Sequence, residues 1–193
     1  VKDLRARYSG RNKIRGLDVI DLYTWPTPNG RKISIALEEF AAPYAVHPVN
    51  LQNEEQLDED FLAISPNNKI PAIVDRENGQ TLMESGAILI YLADKFDRFW
   101  GVERYETMQW LMLQMAGIGP MLGQVHYFSK YNSGKAPYAE ERFYNEALRL
   151  PYWKWHAQRN RISQGLVHGA VLGDRGRTGA AFAGLWRDVM ENG

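Results

Sequence analysis

The chain of 193 residues contains no cysteine. That excludes a disulfide framework, a cysteine–zinc site and a thiol nucleophile of its own. Any sulfur redox chemistry must borrow its sulfur from a substrate or cofactor. Net charge is absent as well, because 23 Lys and Arg balance 23 Asp and Glu. Broad binding to nucleic acid or to an anionic membrane needs a basic surface, so neither partner is expected. No apolar run approaches the ~20 residues of a membrane span. The longest, Ala87–Ala93, fits a buried helix. Histidine is scarce, and His47, His126, His156 and His168 show no metal-ligand spacing, so no metal site is expected. No internal repeat, low-complexity segment or secretory signal is visible. The chain opens on Val1, and its native start is expected upstream; the expected location is cytoplasmic.

What is present is ordinary for a folded protein. Hydrophobic residues make up 45% and charged residues 24%, in a length that holds one large domain or two small ones. Residues 1–17 are polar and basic without periodicity and read as an N-terminal arm. Val19–Tyr23 is rich in β-formers and predicts a first strand. Trp25–Gly30 is dense in turn residues, and a helix of about ten residues follows, carrying Ile33, Ile35, Ala36 and Leu37. Tyr44–Val49 predicts a second strand, which Pro48 places at a sheet edge. Phe61 and Leu62 anchor a short helix. Ile70–Val74 and Thr81–Met83 predict two further strands, joined by a turn at Asn78-Gly79. Gly86–Phe96 reads as a helix. The order β-α-β-α-β-β-α predicts an α/β domain with helices on both faces of its sheet, over residues 18–97. Residues 98–193 are expected to form an all-α domain. Met108, Leu111, Met112 and Met115 recur at helical spacing in Glu103–Met115. Gly117, Gly119 and Pro120 interrupt that helix, Met121–Tyr131 resumes it, and Pro137 opens another that runs to Leu150.

The densest functional signal is SPNNKIPAIVDRENGQTLMESGAILIYL, from Ser65 to Leu92. Pro71, early in a strand, gives up a ladder donor and marks an edge, a bulge or a cis bond. Ser85 falls where a helix N-cap belongs. A helix N-terminus with a hydroxyl and free N–H groups suits a carboxylate. In the competing reading Ser85 is a plain cap and Glu84 a first-turn acid answering the helix dipole. Together these features describe a pocket for a small peptide-like ligand.

KIPAIVD followed by MESGAILIYLADKF resembles the glutathione transferase fold, an α/β thioredoxin-like N-terminal domain followed by an all-α C-terminal domain. DLYTWPTPNGRKISIALEE, SPNNKIPAIVD, LMESGAILIYLADKF, QWLMLQMAGIGPMLGQVHYF and PYAEERFYNEALRL resemble its bacterial Nu-class branch, of disulfide-bond reductase type, and that branch's relative, the nitrogen-regulation prion protein. The resemblance spans residues 19–150 and implies glutathione as cosubstrate. It implies that Pro71 is cis, and that the Ile70 backbone, beside Lys69, pairs with the cysteinyl part of glutathione like an added strand. Glu84 would accept from the γ-glutamyl ammonium, while Ser85 and its helix N-terminus hold the carboxylate.

The same resemblance makes the Thr27 hydroxyl and the Asn29 amide the catalytic groups that address the glutathione sulfur. Donors aimed at a thiol favour its thiolate. Neither side chain is basic, so they stabilise the anion rather than generate it. TPNG also reads as a turn and helix cap. Tyr23 is an alternative disfavoured by its place inside the strand. Gln56 in the loop after the second strand, Gln114 on the first long helix, and Arg142 reaching over the site from the helical domain complete the implied glutathione set. For Gln56 and Gln114 a solvated face is the bland alternative. The implied activity is glutathione-dependent reduction of small disulfides, with transferase or peroxidase activity towards electrophiles and hydroperoxides. A homodimer is implied, with the site near the domain and subunit interface. The alternatives are a non-catalytic glutathione-binding regulatory module and a conventional transferase for apolar electrophiles, lined by Trp25, Tyr127 and Phe128.

The resemblance stops at Leu150. The family continues through a helix, a loop and an S-x-x-D capping box to an aromatic segment, whereas here Pro151-Tyr152-Trp153 follows at once and no S-x-x-D occurs. A missing segment is therefore expected between Leu150 and Pro151. The glycine-rich tail from Ile162 is divergent and carries no functional expectation, although residues 180–190 read as a helix.

Overall fold

A computed structural model of the chain describes residues 19–150, in two units, one ending at Phe96 and the other beginning at Asp97. The expected N-terminal arm, the residues beyond the Leu150–Pro151 junction and the tail from Ile162 lie outside the described residues.

In the first unit the β-rich run after Val19 forms β1 (Ile20–Thr24). Thr27 caps α1 (Pro28–Phe40), with Pro28 in the first turn, where a missing N–H costs nothing. Then come β2 (Tyr44–Pro48), the short α2 (Glu59–Leu62), β3 (Ala72–Asp75), β4 (Thr81–Met83) and α3 (Ser85–Phe96). The sheet order is β2-β1-β3-β4. β1 and β2 are parallel; β3 is antiparallel to both β1 and β4. β2 is an edge strand, as its proline suggests. Pro71, expected inside a strand, instead precedes β3. That strand is internal to the sheet, and an internal strand has no place for a residue without a ladder donor. The hairpin loop spans 76–79, because the Asp75 N–H still donates to Gln80 O at 2.9 Å. Gly79 supplies the left-handed residue at φ 74°.

Alternation along β1 sends Asp21 and Tyr23 to one face and Ile20 and Leu22 to the other, and all four are buried. Tyr23 packs with Phe61, Ile64, Ile70 and Ala72 on the α2 side. Ile33, Ala36, Leu37 and Phe40 of α1 and Ile88, Leu89, Leu92 and Ala93 of α3 are buried on the opposite side. There Phe40 meets Phe96 at 5.3 Å between ring centroids. A polar clip ties the hairpin to α3. The fully buried Asp75 carboxylate accepts from Tyr91 Oη at 2.7 Å, Lys95 Nζ at 2.7 Å and the Glu77 N–H at 2.9 Å. Burial alone would raise this carboxyl, but Lys95, Tyr91 and the Glu77 N–H hold it below the usual range.

The second unit is helical. It contains α4 (Arg104–Leu113), a π-helical turn (Gln114–Ile118), α5 (Gly119–His126), a second π-helical turn (Tyr127–Tyr131) and α6 (Pro137–Arg149). The expected break at Gly117–Pro120 is thus a change of register within one run of helix. Pro120 has no N–H to continue the α ladder, and the Gly119 N–H reaches back five residues to Gln114 O. Among the described residues, no helix is long and apolar enough to cross a membrane.

Candidate functional site

One row of residues crosses the whole sheet. Tyr23 pairs with His47 on one side and Ala72 on the other, and Ala72 pairs with Met83. Beyond this row β1 and β4 end, β3 begins, and β2 runs into the loop that carries Gln56. The α1 N-terminus, Ile70–Pro71 and Glu84–Ser85 therefore meet at one end of the sheet, because antiparallel pairing sets the start of β3 beside the ends of its neighbours.

Thr27 sits at the cap of α1, half-buried, and its Oγ1 accepts the Gly30 N–H at 3.1 Å. A hydroxyl has two acceptor positions and one proton, so this bond leaves the proton free to donate elsewhere. Asn29, in the first turn, is exposed. Gly30 is obligatory here, since a Cβ on it would overlap Thr24 Oγ1 and Trp25 O. The helix start is thereby pressed against the end of β1. Tyr23, the disfavoured alternative, is buried and stacked on His47 at 4.7 Å, a core position.

The Ile70–Pro71 peptide bond is cis. The loop before it is strapped by Ser65, a fully buried residue whose Oγ donates to Lys69 O at 2.8 Å. The Lys69 side chain points to solvent, while Ile70 and Pro71 are buried. Sequence reasoning passed over Ser65; its signal was the turn-forming SPNN run.

At the start of α3 one expectation is corrected. The Ile88 N–H donates to Glu84 O at 3.0 Å, so Glu84 holds the cap position and Ser85 is the first helical residue. Ser85 is 3% exposed. Glu84 is exposed and has φ 69°, a left-handed conformation that costs a non-glycine residue of order 1–3 kcal/mol. Lys32, on α1, carries the charge that answers it. Burial lowers the Lys32 ammonium to about 8, and the Glu84 carboxylate offsets part of that shift. Nothing in the sequence marked Lys32 out from an ordinary helix lysine.

Gln56 is the middle residue of the second of two short 3-10 turns, Leu51–Asn53 and Glu55–Leu57. The Asn50 N–H donates to Glu55 Oε2 at 2.6 Å and holds this loop closed. Among the described residues, Gln56 Oε1 is a buried side-chain acceptor without a donor. Such an atom calls for a partner from outside the chain.

Gln114 and Arg142 belong to the second unit. Gln114 is 7% exposed and opens the first π-helical turn. Arg142 is exposed and lines an open cleft of about 540 Å³ with Met121, Tyr138, Phe143 and Glu146. Tyr127 is exposed, while Phe128 is stacked on Phe143 at 5.5 Å.

The family model described as Glutathione S-transferase, N-terminal domain matches residues 18–94. Disulfide-bond oxidoreductase YfcG of Escherichia coli (strain K12) is 49% identical over 140 residues, covering 68% of this chain and 65% of that protein. A glutathione transferase family member from Pseudomonas fluorescens pf-5, solved with two glutathione bound, is 52% identical. Its TM-score is 0.63, over 68% of this chain and 62% of its own. A glutathione transferase from Pseudomonas putida, solved with one glutathione disulfide per subunit, is 36% identical with a TM-score of 0.72, over 93% of this chain and 85% of its own. The chain spans 54% to 65% of the lengths of three curated relatives that it matches. The likeness to the Pseudomonas putida protein extends over most of both chains, and the chain belongs to the glutathione transferase family, within which it resembles the disulfide-bond oxidoreductase type.

Proposed function

We propose that the protein reduces small disulfides with glutathione as reductant, and that Thr27 and Asn29 stabilise the glutathione thiolate. The observation that carries this reading is the meeting of the α1 N-terminus, the cis-Pro71 loop and the Glu84–Ser85 turn at one end of the sheet, in a chain without cysteine. The Ile70 backbone then pairs with the cysteinyl part of glutathione, next to Lys69 and cis-Pro71. Glu84 takes the γ-glutamyl ammonium, and Ser85 with the first N–H groups of α3 takes the carboxylate. The left-handed backbone of Glu84 supports a binding role, since such strain persists where a site needs it. Gln56 supplies its unpartnered oxygen to a ligand N–H. Gln114 and Arg142 complete the set, Arg142 as a carboxylate partner.

The chemistry is thiol–disulfide exchange. One glutathione thiolate attacks the substrate disulfide, giving a mixed disulfide and releasing one substrate thiolate. A second glutathione thiolate attacks the glutathione sulfur of the mixed disulfide. The products are glutathione disulfide and a second substrate thiolate, and the two protons lost by glutathione end on the substrate thiols. Two glutathione molecules supply both sulfurs that the chain lacks, and catalysis consists of positioning and thiolate stabilisation. The relatives solved with two glutathione and with glutathione disulfide carry the reductant and the product of such a step. The reading includes a homodimer.

The test is calorimetric titration with glutathione and with its disulfide, followed by a coupled assay for reduction of a small disulfide. Binding of the disulfide together with turnover is the expected result. Binding without turnover would replace the reductase by a regulatory module, and no binding at all would remove the glutathione site.

A further inference from the structure

The hairpin turn at Asn78-Gly79 is one of three Asn-Gly pairs in the chain, and it takes no part in the proposed reaction. In such a pair the following peptide nitrogen readily attacks the asparagine side-chain amide, because glycine has no Cβ to stand in the way. Both residues are exposed, so water reaches them. A Cβ at Gly79 would meet nothing within 4 Å among the described residues, so bulk does not shield the pair. Hydrogen bonds do. The Gly79 N–H, which belongs to the attacking nitrogen, donates to Asp75 O at 2.7 Å. Asn78 Oδ1 accepts the Gln80 N–H at 2.9 Å. Asn78 Nδ2 donates to Tyr91 Oη at 2.9 Å, and Tyr91 Oη donates its own proton to Asp75 Oδ2 at 2.7 Å. Asp75 is fully buried, and Lys95 holds it from α3. The nucleophile and the amide it would attack are thus both tied to the clip.

We propose that Asn78 is a deamidation site held shut by the Asp75–Tyr91 clip, and that it reacts when the hairpin leaves α3. In the step, the Gly79 nitrogen gives up its proton and bonds to Asn78 Cγ. The Cγ–Nδ2 bond breaks, and ammonia leaves with that proton. Water then opens the resulting succinimide at either carbonyl, giving aspartate or isoaspartate at position 78. Either product has lost the Nδ2 donor to Tyr91 and sets a second carboxylate near that of Asp75, where like charges repel. Isoaspartate also lengthens the main chain inside a turn that Gly79 fits at φ 74°. The clip then closes less firmly, so one opening makes the next more frequent.

The experiment is peptide mapping by mass spectrometry of the wild type and Tyr91→Phe, kept at mildly alkaline pH either folded or in urea. Circular dichroism and urea unfolding establish that the variant is folded. Asn29-Gly30 is the internal reference, since the Gly30 N–H donates to Thr27 Oγ1 and not into the clip. In the wild type, Asn78 should convert at least about 10-fold more slowly folded than in urea. Tyr91→Phe keeps the ring and loses the hydroxyl. In the folded variant Asn78 should convert about 5-fold faster, the effect of one hydrogen bond, while Asn29 is unchanged. Asn78→Asp should unfold at lower urea than the wild type. Equal rates at Asn78 folded and in urea would overturn the proposal, as would no conversion in urea. A folded Tyr91→Phe chain that converts at the wild-type rate, or faster at Asn29 and Asn78 alike, removes the clip as the cause. Wild-type stability in Asn78→Asp overturns the weakening of the clip. If Tyr91→Phe does not fold, hydrogen exchange of the wild type decides. A slowed Gly79 N–H supports the proposal, and one that exchanges as in an unfolded chain overturns it.

Discussion

Replacing Thr27 by aspartate separates two roles that one hydroxyl combines. In the structure Thr27 Oγ1 accepts the Gly30 N–H at 3.1 Å, which caps α1 and leaves the hydroxyl proton for the donor role proposed above. Aspartate caps a helix as well as threonine and answers the same dipole. It has no proton to give, however, and it sets a negative charge beside a thiolate. Stability should therefore change by less than about 0.5 kcal/mol in Thr27→Asp, whereas Thr27→Ala should lose about 1 kcal/mol with its cap. The chemistry should respond in the opposite order. A hydrogen bond to a charged group contributes about 1.5–3 kcal/mol. At about 1.4 kcal/mol per decade, its loss from the thiolate slows disulfide reduction about 10- to 150-fold in Thr27→Ala. Like-charge repulsion takes Thr27→Asp lower still. Thr27→Ser keeps cap and proton and should retain activity. Urea unfolding reads the stabilities, and an NADPH-coupled glutathione reductase assay reads turnover of hydroxyethyl disulfide. A Thr27→Asp protein of wild-type stability that turns over at the wild-type rate would leave Thr27 as a helix cap and nothing more.

Two further predictions concern charge. The Lys32 ammonium is lowered from 10.5 to about 8 in the folded protein, so between those pH values the unfolded chain binds more protons and stability rises with pH, by about 3 kcal/mol in all. Lys32→Met should abolish that rise and be the more stable protein at pH 7; urea midpoints across the alkaline range decide it, and an unchanged slope would refute burial as the cause. Asp75→Asn should cost about 3 kcal/mol, because Lys95 and Tyr91 lose a buried anionic partner. The folded Asp75 carboxyl lies below its ordinary 3.8, so its contribution is complete above about pH 4 and is lost as pH falls through the folded value. Acid unfolding of the variant should start from lower stability and show a shallower dependence on pH, and a variant matching the wild type would dissolve the clip.

Much of the first unit was legible because its signals are local. The β-rich run at Ile20–Thr24, the proline at the edge strand and the turn before Pro28 each act within a few residues of themselves. Where the reading slipped, the deciding partner lay elsewhere. Pro71 left its strand because β3 is flanked on both sides, a fact of sheet order and not of the KIPAIVD run. Ser85 yielded the cap to Glu84 because the turn after β4 takes a left-handed residue, which glutamate seldom provides. The Gly117–Pro120 stretch read as a break because glycine and proline usually end helices. The π register that accommodates them has no signature in apolar spacing. For the site, the motif residues could be named, but the lone oxygen of Gln56, the buried charge of Lys32 and the Ser65 strap are properties of packing.

The same contacts that fold the first unit also make its candidate site, and this bears on how a chain without cysteine could handle sulfur. Gly30 must lack a side chain for α1 to start against Thr24 and Trp25. That close start is what sets the Thr27 hydroxyl at the sheet end where β3 begins after cis-Pro71. Ser65 holds the carbonyl of Lys69, and so fixes the approach to Ile70, from a position with no exposure at all. Each of these restraints comes from the core side and leaves two polar groups, the Thr27 proton and the buried Gln56 oxygen, uncommitted. A site of this kind does not need a reactive side chain. It needs donors and acceptors whose positions are already set when the ligand arrives, so that little ordering remains to oppose binding. Substitutions behind the site, at Gly30 or Ser65, should therefore damage binding and stability together, whereas substitutions that change only the Thr27 proton or the Gln56 oxygen should separate the two.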